Sequence, residues 1–250
     1  MTHVGVGMRN DQCEWDKFDS NWYFNHNYAS VRDDDRQILA QMSQFFADHL
    51  KDTRSQHGVD VGSGTNLYPA LTMLPFCQSI TLWERSAANI AWLHREIKSF
   101  RPSWDAFWRQ LSRLGRSRGA AGNARKRLAA SAMVCRGNIF ELPVQHWDLG
   151  TMFFVAESIT SDYAEFKRAT RHFVQSLKAG APFAAAFMEK SEGYLVGSYR
   201  YPAVPVTIDD IHECLSDLVD TDFSVVPIKS EHPLREGYSG TMLLALGVAK

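Results

Sequence analysis

Seven short apolar runs, separated by stretches of helical periodicity, set the narrowest limit on what this chain can fold into. From residue 58 onward the runs read "GVDVG", "SITLWE", "AMVCRG", "LGTMFFVAES", "PFAAAFM", "FSVVPI" and "TMLLALGV". Strands alternating with helices predict an α/β fold with a seven-stranded, mostly parallel sheet flanked by helices. One intervening segment, Tyr163 to Leu177, carries Phe166, Ala169, Phe173, Val174 and Leu177 on one face and ends at "KAGAP". A basic residue followed by glycine is a helix stop. A second helix is expected over Ala87 to Phe100, with Ile90, Leu93 and Ile97 in register. Both stripes read as core-packing faces.

Two regions stand outside the alternation. Residues 1–57 hold an aromatic cluster and then a helix around Gln37 to Leu50; they are expected to form a lid and helix packed on a catalytic domain at 58–250. Residues 101–130 carry eight Arg and Lys against one Asp, with Trp104, Phe107 and Trp108 among them. Such a stretch reads either as an RNA surface or as an excursion between strands with a solvated basic face. A net charge of -1 for the whole chain favours the excursion and argues against a general nucleic-acid binder.

At 250 residues the chain can bury the core of one large α/β domain. No run is long enough to span a bilayer, and the N-terminus lacks the basic and apolar segments of a signal peptide. Cys13, Cys77, Cys135 and Cys214 never form CxxC, which points to reduced thiols and a cytoplasmic setting. The nine histidines give no HExxH spacing, so no metal is expected.

The loop "GVDVGSGTNLYP" at 58–69 carries the chemistry. A phosphate-binding P-loop needs GxxxxGK[ST], and this loop has no Lys. The dinucleotide pattern GxGxxG fits Gly62 and Gly64 but meets Leu67 at its third glycine, which demotes NAD. S-adenosylmethionine suits the remainder. Gly62 and Gly64 admit close backbone approach, Asp60 is placed to meet the ligand ammonium, and Glu84 ends the second strand where a carboxylate accepts ribose hydroxyls. "GSGT" is not a GxSxG nucleophile elbow.

With its flanks included, the sequence resembles the small-molecule N-methyltransferases of the nicotinamide, phenylethanolamine and indolethylamine group. Four blocks carry the likeness: "FDSNWYFNHNY", "DVGSGTNLYPAL", "ITLWERSAANIAWL" and "MEKSEGYLVGSYRYPAVPVTIDDI". The second departs from the family pattern D-[IV]-G-S-G-P-T-x-Y at Thr65 and Asn66 while keeping Tyr68. The resemblance implies a Rossmann-like class I methyltransferase with S-adenosyl-L-methionine as cofactor. It further implies that Tyr23 and Tyr28 close over the donor and that Tyr68 supports the same group with Gly62, Ser63 and Gly64. Glu84 and Asn89 would bind the ribose. Asn138, with Ile139 beside it, stands where the family has an Asp that meets the adenine amine; an Asn can serve there through its carbonyl. Read without the resemblance, Tyr23 and Tyr28 are a hydrophobic lid to the core.

Methyl transfer requires nucleophile and methyl at near-attack distance, and a nitrogen acceptor must be unprotonated. Glu157 in "VAESIT" matches an acid of the amine-methylating relatives and, with Tyr23, is the expected catalytic residue; its plain alternative is a helix N-terminal acid. Tyr194 matches an aromatic that stacks on a flat substrate. Glu189 and Glu236 are expected to line the substrate site, with Glu192 the third carboxylate whose orientation is open. The function expected is methyl transfer to nitrogen of a small amine or heteroaromatic compound. The alternatives are an O-, S- or C-acceptor, an RNA-binding protein using residues 101–130, and a silent relative that binds without turnover.

Overall fold

The computed structural model describes residues 8–50, 55–114, 123–234 and 237–250. Strands β1 (Gln56–Val61), β2 (Cys77–Glu84), β3 (Ala132–Arg136), β4 (Leu149–Phe153) and β5 (Pro182–Met188) form the parallel part of the main sheet. A hairpin, β6 (Tyr194–Val196) and β7 (Tyr199–Tyr201), lies outside it. The sheet is completed by β8 (Ser224–Lys229) and β9 (Thr241–Val248), and its order is β3-β2-β1-β4-β5-β9-β8, with β9 antiparallel to both neighbours. All seven runs read from the sequence are therefore strands of one sheet, flanked by helices in the Rossmann-like arrangement. The chain order reverses between β1 and β4, where open sheets of this kind hold ligands beyond the carboxyl ends of the strands.

The helices are α1 (Ser20–Asn27), α2 (Asp33–His49), α3 (Tyr68–Met73), α4 (Ala87–Ser99), α5 (Pro102–Leu114), α6 (Ala124–Ser131), α7 (Tyr163–Gln175) and α8 (Ile208–Leu215). Alternating side chains send the inner strands into two cores. On β5, Ala184, Ala186 and Met188 face a layer with Ile38, Met42 and Phe46 of α2, while Phe183, Ala185 and Phe187 face Phe166 and Phe173 of α7. On β9, Leu244 and Leu246 take the first side and Leu243 and Ala245 the second. Strands buried on both faces need near-continuous apolar sequence, and these have it. Local caps fix the helix starts: Ser86 Oγ accepts from Asn89 N at α4, and Asp162 Oδ1 accepts from Ala164 N at α7.

Along its described length the basic stretch is an excursion between strands, α5 and α6 lying between β2 and β3 with Arg109, Arg113 and Lys126 exposed. Its aromatics, Trp104, Phe107 and Trp108, are buried with Leu111 in the core on α5, which packs against α2 and α3. These rings therefore present no stacking platform to a nucleic acid. Arg125 pairs with Asp105 at 2.6 Å, and Arg127 donates to the Leu74 carbonyl. Arg116 and Arg118 lie outside the described residues. Among those described, no helix is long and apolar enough to cross a membrane.

Candidate active site

The register of the sheet builds the site. Val61 pairs with Trp83, so the loop after β1 and Glu84 at the end of β2 emerge side by side. Gly62 turns the loop at φ 65, and a Cβ there would come within 2.6 Å of Val155 Cγ2. Gly64 follows at φ 53. Its amide donates to Glu84 Oε2 at 2.8 Å, while Arg85 N and Ser86 N donate to Glu84 Oε1 at the same distance. Burial nonetheless raises the Glu84 pKa, against the pull of these amides and of Asn89. Asn89 Oδ1 in turn accepts from Ser20 Oγ at 2.8 Å.

A cleft opens over this corner, lined by Gly62, Ser63, Gly64, Thr65, Asn66, Glu84 and Asn89. Its far end holds Trp83, Gly137, Asn138 and Ile139. At Gly137 a Cβ would lie 2.1 Å from the Trp83 ring, so only glycine lets the chain pass that close. The segment before α1 covers this end. Asn10 Nδ2 donates to Asn138 Oδ1 at 3.2 Å, its amide donates to Glu165 Oε2 at 2.9 Å, and its own Oδ1 accepts from Trp15 Nε1 at 3.0 Å. Trp15 and Phe18 complete the cover.

The cleft adjoins a second, open and larger chamber, the two sharing Tyr23, Tyr28, Phe154, Ser158 and Tyr194. Phe154 holds φ 58 at the end of β4, a backbone state costly for a bulky residue, and its ring lies on that shared boundary. An aromatic train runs from Trp15 to Tyr201 (5.1 Å, stacked), to Tyr194 (5.4 Å, stacked) and to Tyr23 (6.5 Å, edge-on). The β6–β7 hairpin and the N-terminal segment thus form one wall. Asp35 of α2, Glu192, His26 and Arg200 also line the chamber.

Eleven of the residues singled out from the sequence meet at the two cavities: Tyr23, Tyr28, Gly62, Ser63, Gly64, Glu84, Asn89, Asn138, Ile139, Glu192 and Tyr194. Four others line neither cavity, against expectation. Asp60 is buried beneath the loop, where Thr151 of the paired strand donates to its Oδ1 at 2.7 Å. Tyr68 stacks on Phe107 behind the loop, 5.5 Å between rings. Glu157 is 0% exposed and accepts from Met188 N at 3.0 Å, tying the end of β5 to the turn after β4. Glu189 turns away to accept from Ser239 Oγ at 2.6 Å. Glu236 lies outside the described residues. Sequence reasoning missed Asn10, Trp15, Phe18 and Asp35, of which the aromatic pair had a signal in the N-terminal cluster.

The corner suits an adenosyl donor. The loop turned by Gly62 and Gly64 lines the cleft, a carboxylate stands at the end of β2, and Thr65 Oγ1 on the cleft, like Asp60 Oδ2 beneath the loop, is buried with no hydrogen bond from a described residue. Comparison with known proteins agrees. Phenylethanolamine N-methyltransferase of Macaca mulatta is 26% identical over 227 residues, covering 80% of this chain and 77% of the relative. The Sus scrofa protein of the same name is 23% identical over 222 residues, covering 80% and 76%. Among solved structures, N-methyltransferase NodS from Bradyrhizobium japonicum in complex with S-adenosyl-L-homocysteine superposes with a TM-score of 0.51, at 12% identity and 92% coverage of each chain. An S-adenosylmethionine-dependent methyltransferase from Clostridium acetobutylicum gives 0.53 at 10% identity, covering 86% of this chain and 92% of its own. The model of the NNMT/PNMT/TEMT family matches residues 8–243. With fold, cleft and motif blocks in accord, the chain belongs to this family of S-adenosylmethionine-dependent methyltransferases.

Proposed function

We propose that the protein transfers a methyl group to the nitrogen of a small amine or heteroaromatic compound. The observation that carries the reading is the junction: a polar, glycine-walled cleft adjoins an aromatic chamber across Tyr23, Tyr28, Phe154 and Tyr194. When bound, the donor supplies an electrophilic methyl on a sulfonium. Glu84 and Asn89 would hold its ribose, Asn138 and Ile139 its adenine, and the Gly62–Gly64 loop its amino-acid end. Tyr23, Tyr28 and Tyr194 fix the acceptor against the shared boundary and, with Trp15 and Phe18, exclude water. The names of the curated relatives favour nitrogen as the accepting atom.

A cytoplasmic setting is part of the proposal, resting on four cysteines that are all free thiols. Incubation with a deuterated methyl donor and a panel of amines, heteroaromatics, phenols and thiols, read by tandem mass spectrometry, tests the reading. Label on an amine or heteroaromatic nitrogen supports it. Label confined to oxygen, sulfur or carbon sinks it in favour of the same fold with another acceptor.

A further inference from the structure

The carboxylates expected to face the acceptor, Glu157 and Glu189, do not reach it, and this leaves a question about charge. Two carboxylates do line the chamber: Glu192, exposed at the mouth, and Asp35, which is only 5% exposed. Asp35 lies in the first turn of α2, and its Oδ2 accepts from Arg32 N at 3.1 Å. Its Oδ1 receives no hydrogen bond from any described residue, and what little surface the side chain keeps is on the chamber wall.

The neighbouring cations are engaged elsewhere. The Arg32 guanidinium donates to Asp34 at 3.2 and 3.3 Å, to Ser230 at 3.2 Å and to the His232 carbonyl. Arg36 Nη1 donates to the Val31 carbonyl at 3.4 Å. Asp35 therefore has charge neighbours but no ion-pair partner of its own among the described residues. On the chamber side it stands near Tyr28, whose hydroxyl feels its charge and whose ring also lines the donor cleft.

We propose that Asp35 receives the acceptor's amino group, and that the acceptor is a basic aliphatic amine with an apolar body rather than a neutral heteroaromatic compound. This rests on the methyl-transfer reading above and narrows it. A buried carboxylate with one oxygen unbonded and no ion-pair partner is costly, and an ammonium ion is a group that relieves it. The aromatic lining of Trp22, Tyr23, Tyr28, Phe154 and Tyr194 suits the same ion, through ring faces that attract cations, and suits its apolar body.

Asp35 then does a second thing. An ammonium N–H bond breaks with its electron pair staying on nitrogen as the nucleophilic lone pair, and the proton forms an O–H bond on Asp35. After methylation the product nitrogen is again charged, and the proton on Asp35 passes to solvent as the product leaves. Burial pushes the Asp35 carboxyl up to about 7, helped by Asp34 and opposed by the Arg32 amide and the charges of Arg32 and Arg36. Tyr28 and Tyr68 also face it, both neutral with hydroxyls held well above their ordinary range. A carboxyl titrating there is suited to take and return a proton at neutral pH.

Calorimetry on the full chain saturated with S-adenosylhomocysteine tests this, with 2-phenylethylamine, its neutral counterpart 2-phenylethanol, and nicotinamide as probes. The wild type is expected to bind the amine in preference to both others. Asp35→Asn should lose that affinity by tenfold or more while keeping S-adenosylhomocysteine affinity within about twofold, and Glu189→Gln should leave amine affinity unchanged. In the wild type alone, amine affinity should fall as pH drops below the Asp35 range, about tenfold per unit, while 2-phenylethanol affinity stays level. An Asp35→Asn protein that binds the amine as well as wild type overturns the assignment. So does one that loses S-adenosylhomocysteine equally, or a wild type that takes nicotinamide and refuses the amine. A wild type that fails to bind S-adenosylhomocysteine at all would instead remove the parent reading.

Discussion

Ser20 Oγ donates to Asn89 Oδ1 across 2.8 Å, so the first residue of α1 is tied to the residue that also bears on Glu84. The start of α1 and the Glu84 corner are one hydrogen-bonded unit. Ser20→Ala should weaken S-adenosylhomocysteine binding by about 1 kcal/mol, the net worth of one such bond. Isothermal titration gives the affinity, and protease nicking within residues 8–28 should speed up in parallel. Unchanged affinity with faster nicking would mean that the lid does not report to the cofactor corner.

Glu84 has two tasks, accepting three backbone amides and facing the cleft. Glu84→Ala removes both. Donor-product affinity should fall by about 1–3 kcal/mol, as expected for hydrogen bonds to a charged group, and the melting temperature should fall with it. Retained affinity at lowered stability would assign Glu84 to the loop alone.

At Gly62 a side chain is opposed by both backbone and packing. Its φ of 65 disfavours any Cβ, and the nearest atom, Val155 Cγ2, would be 2.6 Å away. Gly62→Ala should destabilise the fold by about 1–3 kcal/mol through overpacking and backbone strain. Adding Val155→Ala should return part of that loss by removing the clash but not the strain. Denaturant melts of the single and double variants measure both terms.

Asp60 makes a prediction about pH. Burial pushes its carboxyl up to about 7, with Glu84 adding to the rise and the Thr151 and Ser63 hydroxyls opposing it. The folded protein therefore keeps a proton that the unfolded chain, titrating near ~4, releases. The contribution to stability is fully present below about pH 4, declines through the interval, and is level again above the folded value. Asp60→Asn cannot ionise, so it should melt higher than wild type at about pH 8.5 and show no such gain near about pH 4. Melts at the two pH values decide it, and an equal effect at both would place the origin in packing.

Much of this was written in the chain. β5 and β9 coincide with the apolar runs "PFAAAFM" and "TMLLALGV", because strands buried on both faces leave little room for any other pattern. The hairpin was not legible: two three-residue strands with Leu195, Tyr199 and Arg200 exposed give no period to read. α5 does carry its charge on a solvated face, but its opposite face was not read, although Trp104, Phe107, Trp108 and Leu111 recur at i, i+3, i+4 and i+7, the mark of a buried helix face. At the site, residues carried by backbone turns, such as Gly62 and Glu84, were found through spacing. Which way a carboxylate points was not legible, because spacing says only where it leaves the chain: Glu157 is buried against Met188 N, and in the run "DDD" at 33–35 Asp34 and Asp35 are buried while Asp33 is exposed.

The aromatic train from Trp15 through Tyr201 and Tyr194 to Tyr23 draws on an N-terminal segment and a small hairpin, and on no strand of the main sheet. Changes confined to those two peripheral stretches would reshape this wall while leaving the strands of the main sheet, and the chamber residues Asp35 and Phe154, as they are.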